Sequence, residues 1–574
     1  MPGAVWFRGA RFNFAENLLR YDDDKIAIIS RSECRQLEYV TYCELKRRVT
    51  ALAGWMHNQG IRPGDRVGGY VPNIPESIIA MLATTWLGAI WSSCSPDFGV
   101  AGALGRFSQI TPRILFACDG YRYGGKPVNT CERVREIQRS VSSIERVVLI
   151  PNLDDEVTEG ATGDAWVRFS DAVGSDAPPA FQGVFGHPVY IMYSSGTTGK
   201  PKCIVHGAGG TLLQHYKELA LHTDLKREDV IFYFTTCGWM MWNWLVSSLA
   251  VGATVFLYEG SPTYPKPDIL WDSIDTDGIT VFGTSPKYLS ACQKAGLAPR
   301  VSHSLGSLRT ILSTGSPLSA ENFAWVYREV KADLQLASIS GGTDILSCFM
   351  LGCPLEPVYS EEIQKRGLGM QVEVYDNSGA PALNQVGELV CAAPFPSMPV
   401  GFWNDPDRSQ YHAAYFEKYP GVWRHGDYVK LTPRGGVIVY GRSDATLNPG
   451  GVRIGSAEIY GPVESLSEVV DCLAVGQKWR GDVRVVLFVV LRDGLTLTDE
   501  LREKICATIR LAASPRHVPS VIVQIGEVPR TLSGKKVELA VTQTIHGESV
   551  ANADALANPA SLEQFVSMPA LSVL

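Results

Sequence analysis

The chain has no Cys-x-x-Cys pair, no concentrated run of Lys and Arg, no internal repeat and no low-complexity tract. Each absence removes a class of function. The 13 cysteines are scattered and odd in number, and Cys348 and Cys353, the closest two, lie on a stretch without the His partners of a zinc site. Reduced thiols in a cytosol are the simplest reading, and a cytoplasmic protein is expected. The net charge of −7 and pI near 5.9 speak against nucleic acid as a partner, because phosphate binding needs a concentrated basic surface. A local basic pocket for one nucleotide stays open. Met1 to Arg8 shows no basic segment followed by an apolar core, so no signal peptide is expected.

What is present is material for a large globular protein. At 574 residues, 45% hydrophobic and 19% charged, the chain exceeds what one core usually organises. Two apolar stretches, Ser77 to Pro96 and Val230 to Tyr258, are long enough to span a membrane. The second breaks into a strand (Ile231 to Thr235), a helix after Cys237-Gly238 and a strand (Thr254 to Tyr258), so buried core and no membrane span is the expectation.

Short apolar strands alternate with helical patterns: Arg66 to Val71 then Glu76 to Leu87, Arg146 to Ile150, Val189 to Tyr193, Ile279 to Phe282 then Lys287 to Lys294, and Leu308 to Ser313 then Ala320 to Lys331. That rhythm predicts parallel sheets covered by helices. The stretch Asp154 to Gly186 reads as a surface excursion. After a strand at Gly436 to Tyr440 comes a polar, Gly-rich passage, and beyond it strands at Val469 to Val475 and Arg484 to Leu491 with a helix from Asp499 to Leu511. The predicted class is α/β, with a large N-terminal domain of helix-covered sheets over residues 1–443 and a smaller, mobile α+β C-terminal domain over 444–574.

Tyr193-Ser194-Ser195-Gly196-Thr197-Thr198-Gly199-Lys200-Pro201-Lys202 follows directly on an apolar strand. Hydroxyls, glycines and two lysines suit a loop that wraps a triphosphate, since backbone N–H and side-chain O–H groups donate and Lys balances charge. It is no P-loop: GxxxxGK[ST] would need Gly where Ser194 stands and Ser or Thr where Pro201 stands. Asp427, on a Gly-preceded turn, offers a carboxylate to two ribose hydroxyls, and Arg442 and Arg453 are suited to phosphate.

The decapeptide resembles the signature of the adenylate-forming superfamily. Further matches follow in that family's order: Gly315-Ser316-Pro317-Leu318, Ser340-Gly341-Gly342-Thr343-Asp344, Trp423-Arg424-His425-Gly426-Asp427, Gly441-Arg442-Ser443-Asp444, Gly450-Gly451-Val452-Arg453-Ile454 and Pro529-Arg530-Thr531-Leu532-Ser533-Gly534-Lys535-Lys536. The resemblance implies that Ser195, Gly196, Thr197, Thr198, Gly199 and Lys200 hold ATP phosphates. It sets Gly315, Ser316 and Pro317 along the adenine and Gly342 and Thr343 by the α-phosphate. Asp427, Arg442 and Arg453 become ribose and phosphate contacts, and Asp344 stands where the family commonly has Glu near Mg2+. Lys535, directly after Gly, becomes the catalytic lysine, and Asp444 the hinge of a domain rotation. Gly341 and Trp239 would line the acyl pocket, Gly451 would leave room for the pantetheine arm, and Arg122 and Lys126 would meet coenzyme A phosphates.

Within the superfamily the chain is most similar to acetoacetyl-CoA synthetases, through Trp6-Phe7-Arg8-Gly9-Ala10-Arg11-Phe12-Asn13, Ala15-Glu16-Asn17-Leu18-Leu19, Ser340 to Asp344 and Ser514-Pro515-Arg516-His517-Val518-Pro519. Related acetyl-CoA synthetases carry Trp where Gly341 stands, so the missing indole is expected to widen the pocket for a four-carbon keto acid. The implied substrates are acetoacetate, ATP and coenzyme A. Acetate, propionate or butyrate as the acid, and a nucleotide-binding protein without turnover, remain alternatives.

Overall fold

The structure is a computed structural model that describes residues 1–153, 165–174, 177–194, 201–443, 447, 454–480, 482–531, 534–550, 553 and 556–572. Two sheets organise the large N-terminal part. One runs in the order Trp166–Arg168, Arg146–Ile150, Ile114–Cys118, Arg66–Tyr70, Ile90–Cys94, Pro188–Ser194, Lys202–Gly207, Gly401–Phe402. Its pairs are parallel up to Pro188–Ser194, after which the last two are antiparallel. The other runs Gln335–Ser338, Thr310–Ser313, Val281–Thr284, Val230–Tyr233, Thr254–Glu259, Ile26–Ser32, Glu38–Thr41, parallel except for the final hairpin.

Between them lies the largest core. The helix Pro75–Trp86 begins on Pro75, whose fixed φ suits a first turn, and is buried nearly all round, which is why its sequence is apolar without a polar stripe. The stretch 230–258 forms the expected strand, helix (Met240–Val246) and strand, with Trp242 and Trp244 fully buried. No helix among the described residues is long and apolar enough to cross a membrane. All thirteen cysteines are unpaired.

Of the stretch 154–186, residues 154–164 and 175–176 lie outside the described residues; within the rest Trp166–Arg168 adds an edge strand parallel to Arg146–Ile150, with Trp166 Nε1 donating to Gln138 Oε1 at 2.7 Å. Three residues carry too little periodicity to announce a strand.

An antiparallel sheet of Val372–Tyr375, Val386–Cys391, Trp423–Leu431 and Val437–Arg442 follows. From Ser456 onward the chain builds its own three-stranded sheet, Val469–Trp479, Asp482–Leu491 and Val521–Gln524, covered by the helices Ser456–Glu464, Asp499–Ala512 and Glu538–Ile545, with a separate apolar core on each face. The α/β class with a smaller α+β C-terminal unit is as expected.

Candidate active site

A cleft of about 1650 Å³ lies between the large part and the C-terminal unit. Gly315, Ser316 and Pro317 reach it from the loop after Thr310–Ser313, and Gly341 to Asp344 from the hairpin Ser340–Gly342/Ser347–Leu351. His425, Asp427 and Arg442 reach it from the antiparallel sheet and Lys535 from the far side. Trp423–Leu431 and Val437–Arg442 are paired so that Asp427 faces Arg442, whose Nη1 donates to Asp427 Oδ1 and to the His425 carbonyl, each at 3.3 Å. Gly426 makes this register workable. Its φ is +88°, and a Cβ there would stand 2.6 Å from Arg442 Nη2.

Thr343 and Asp344 occupy a tight turn closed by Ile345 N–H to the Gly342 carbonyl at 3.1 Å and Leu346 N–H to the Thr343 carbonyl at 3.2 Å. The Tyr415 hydroxyl donates to Asp344 Oδ1 at 2.6 Å, and the Tyr415 ring is stacked on Trp423 at 3.8 Å between centroids. Burial alone would raise the Asp344 carboxyl. His425, the Tyr415 hydroxyl, Arg442 and Lys202 together hold it below the usual carboxylate range. Burial pushes the buried imidazole of His206 down to about 3 against the pull of Asp344 and the Thr343 backbone, so it is neutral. Tyr415 and His206 were not anticipated from the sequence. His206 stands alone in an apolar strand, a weak signal, and Tyr415 has none.

The two neighbouring lysines of the C-terminal loop go opposite ways. Lys535 keeps an accessible side chain in the open cleft while its N–H donates to Thr531 Oγ1 at 3.1 Å. Desolvation pushes its ammonium below the ordinary lysine value, Asp427 pulls it back, Arg442 lowers it again and Asp344 opposes. Lys536 instead donates to Glu464 Oε1 at 2.6 Å and the Cys472 carbonyl at 2.5 Å. Burial would lower Lys536 too, but Glu464, Cys472 and Asp471 hold it above the ordinary value. Both line the cleft, and among the described residues the Lys535 ammonium has no ion-pair partner while that of Lys536 is tied to Glu464 and Asp471.

Ser195 to Lys200, Asp444, Gly451 and Arg453 lie outside the described residues. The strands that flank the first of these pair Ser194 with Lys202, and both residues line the cleft. Trp239 lines it as well, capping the helix Met240–Val246 with its ring edge-on to Tyr233 at 6.1 Å. Arg122 and Lys126 sit on the hairpin Gly120–Tyr123/Lys126–Asn129, outside the residues that line the cleft.

Gly341 lines the cleft with Trp239, and its lack of a side chain has a packing reason. A Cβ there would meet the Ser347 carbonyl oxygen at 2.0 Å and Cys348 Cα at 2.5 Å, so its absent side chain points into the neighbouring strand and not into open pocket. Its φ is not in the left-handed region, and close approach of two backbones is the reason for glycine.

For a divalent cation, Asp344 offers an ionised carboxylate in the cleft, a donor that suits Mg2+ shared with substrate phosphates. Asp268, Asp272 and His303 also cluster, but Lys266 already pairs with both carboxylates, at 3.5 and 2.7 Å.

The family model for AMP-binding enzymes matches residues 14–400. The acetoacetyl-coenzyme A synthetase of Rhizobium meliloti (strain 1021) is 52% identical over 574 residues, covering 100% of this chain and 88% of that protein. The acetoacetyl-CoA synthetase of Mus musculus is 48% identical over 577 residues, covering 99% of this chain and 86% of its own. The solved acetoacetyl-CoA synthetase from Streptomyces lividans has a TM-score of 0.93 at 44% identity, covering 98% of this chain and 87% of that one.

Proposed function

The chain belongs to the AMP-binding enzyme family, and on that premise we propose that it ligates acetoacetate to coenzyme A with ATP, through an acetoacetyl-adenylate. A carboxylate oxygen of acetoacetate attacks the α-phosphorus, the bond to the β-phosphate breaks and pyrophosphate leaves. The coenzyme A thiol, losing its proton, then attacks the acyl carbonyl and AMP departs. The observation that carries this reading is Lys535 standing in one cleft with Asp427, Arg442, Thr343 and Asp344. Asp427 is the ribose acceptor and Thr343 the α-phosphate donor. Lys535 screens the two anions as they meet. Asp344 would hold Mg2+, which would neutralise phosphate charge.

The C-terminal unit is read as residues 444–574, turning about Asp444 between the two half-reactions. Ser195 to Lys200 and Arg453 are assigned to phosphates, Gly451 to the pantetheine passage, and Arg122 and Lys126 to the coenzyme A phosphates. Unpaired thiols support a cytosolic setting. ATP–pyrophosphate exchange over a panel of short acids tests the reading: acetoacetate is expected to give the highest kcat/KM, and preference for acetate, propionate or butyrate would replace the acid. No exchange with any acid would overturn the enzyme reading.

A further inference from the structure

The helix Ala208–Lys217 runs into a π turn, Glu218–His222, and the two together aim three buried polar side chains at the strand Ser347–Leu351 and the residues flanking it. His215 places Nε2 at 2.6 Å from the Leu346 carbonyl and Nδ1 at 2.8 Å from Ser247 Oγ. His222 places Nδ1 at 2.7 Å from the Gly352 carbonyl and accepts the Leu368 N–H on Nε2 at 3.0 Å. Between them Glu218, with no exposed surface, accepts four hydrogen bonds. Gln214 Nε2 (2.8 Å), Ser347 Oγ (2.6 Å) and Cys348 N–H (3.2 Å) donate to Oε1, and Trp244 Nε1 (2.9 Å) donates to Oε2.

A buried carboxylate is costly unless its oxygens are satisfied, and removing it would leave Ser347 Oγ and Trp244 Nε1 without an acceptor among the described residues. Where the donors come from is informative. Trp244 belongs to the helix Met240–Val246, at whose head Trp239 faces the cleft. Ser347 and Cys348 form the strand whose backbone presses on Gly341, the contact that excludes a Cβ there. Glu218 thus grips both sides of the space between Trp239 and Gly341 without touching it. Burial pushes both flanking imidazoles below their ordinary values, against the pull of Glu218.

We infer that Glu218 is a positioning residue for the acid: its carboxylate sets the separation of the Trp239 wall from the Gly341 to Thr343 wall, and so decides which short carboxylic acids the cleft admits. The inference rests on the proposed function, which places the acyl group between those walls. Of the nucleotide contacts, Asp427 and Arg442 stand on a different sheet, while Gly342 and Thr343 share the hairpin that Glu218 holds.

Glu218→Gln keeps the volume but sets an amide N–H against donors. Ser347→Ala and Trp244→Phe each remove one donor from one wall and carry the test if Glu218→Gln does not fold. KM for acetoacetate, for acids one or two carbons longer and for ATP is measured with Tm. In Glu218→Gln, KM for acetoacetate is expected to rise about tenfold and the longer acids to gain relative to it, with KM for ATP rising by less through the shared hairpin. The two single-donor variants are expected to shift the acid ratio in the same direction, by less. A purely structural role would lower Tm with every KM unchanged, and that result, or a parallel rise in KM for ATP, overturns the inference. Failure of the unaltered protein to exchange pyrophosphate with acetoacetate overturns the functional reading instead, before any variant is compared.

Discussion

Lys535 and Lys536 are adjacent in sequence and share a composition argument, yet one ammonium faces Asp427 and Asp344 across open space and the other is clamped by Glu464, Asp471 and a carbonyl. Lys535→Ala is therefore expected to cut acetoacetate-dependent ATP–pyrophosphate exchange by more than about tenfold, or about 1.4 kcal/mol of transition-state stabilisation. Thioester formation from supplied acyl-adenylate should be largely retained. A second residue gives a pH signature. Burial first, then Asp97 and Glu33, push the Glu259 carboxyl up from 4.5 to about 8, against the Asn73 N–H that donates to it at 2.6 Å. The folded state thus holds a proton that the unfolded state has released between those values. The stabilisation from this group is fully present below about 4.5 and is lost as pH rises through about 8. Glu259→Gln, which imitates the protonated form, should gain Tm over the unaltered protein at about pH 8 and show little gain at about pH 5.

At the scale of elements, the hairpin Ser340–Gly342/Ser347–Leu351 carries the candidate α-phosphate and metal residues, and its register shifts between Ser340 and Gly341. The Cβ direction at Gly341 converts a selectivity argument into a packing one. Gly341→Trp is expected to drive the paired strand outward, lower Tm and depress kcat/KM for acetoacetate and acetate alike, overpacking costing about 1–3 kcal/mol. Loss confined to acetoacetate in a protein of unchanged Tm would return this glycine to the acid-specificity argument. The long apolar strands and their following helices were legible, because burial on both faces leaves continuous Val, Ile and Phe runs. The edge strand Trp166–Arg168 was not, because at three residues only its neighbour Arg146–Ile150 makes it a strand.

For the whole molecule, the arrangement is one in which Lys294, on the large part, donates to the Val470 and Val469 carbonyls of the C-terminal unit at 2.6 and 3.4 Å while Lys535 stands in the cleft. If Asp444 is the pivot, Asp444→Pro, which holds φ near about −65° and removes a donor, should leave pyrophosphate exchange intact and slow thioester formation. Equal loss of both steps would move the pivot elsewhere.

The amino-acid order alone determined the alternation of strand and helix and the succession of motifs, because each is written in local periodicity or in a short contiguous run. Only the tertiary structure decided that Tyr415 meets Asp344 across 71 residues, that Glu218 meets Ser347 across 129, and that the space beside Gly341 belongs to a neighbouring carbonyl. Contacts between distant segments leave no period in the chain, and the direction of a side chain that glycine lacks exists only once its neighbours are in place.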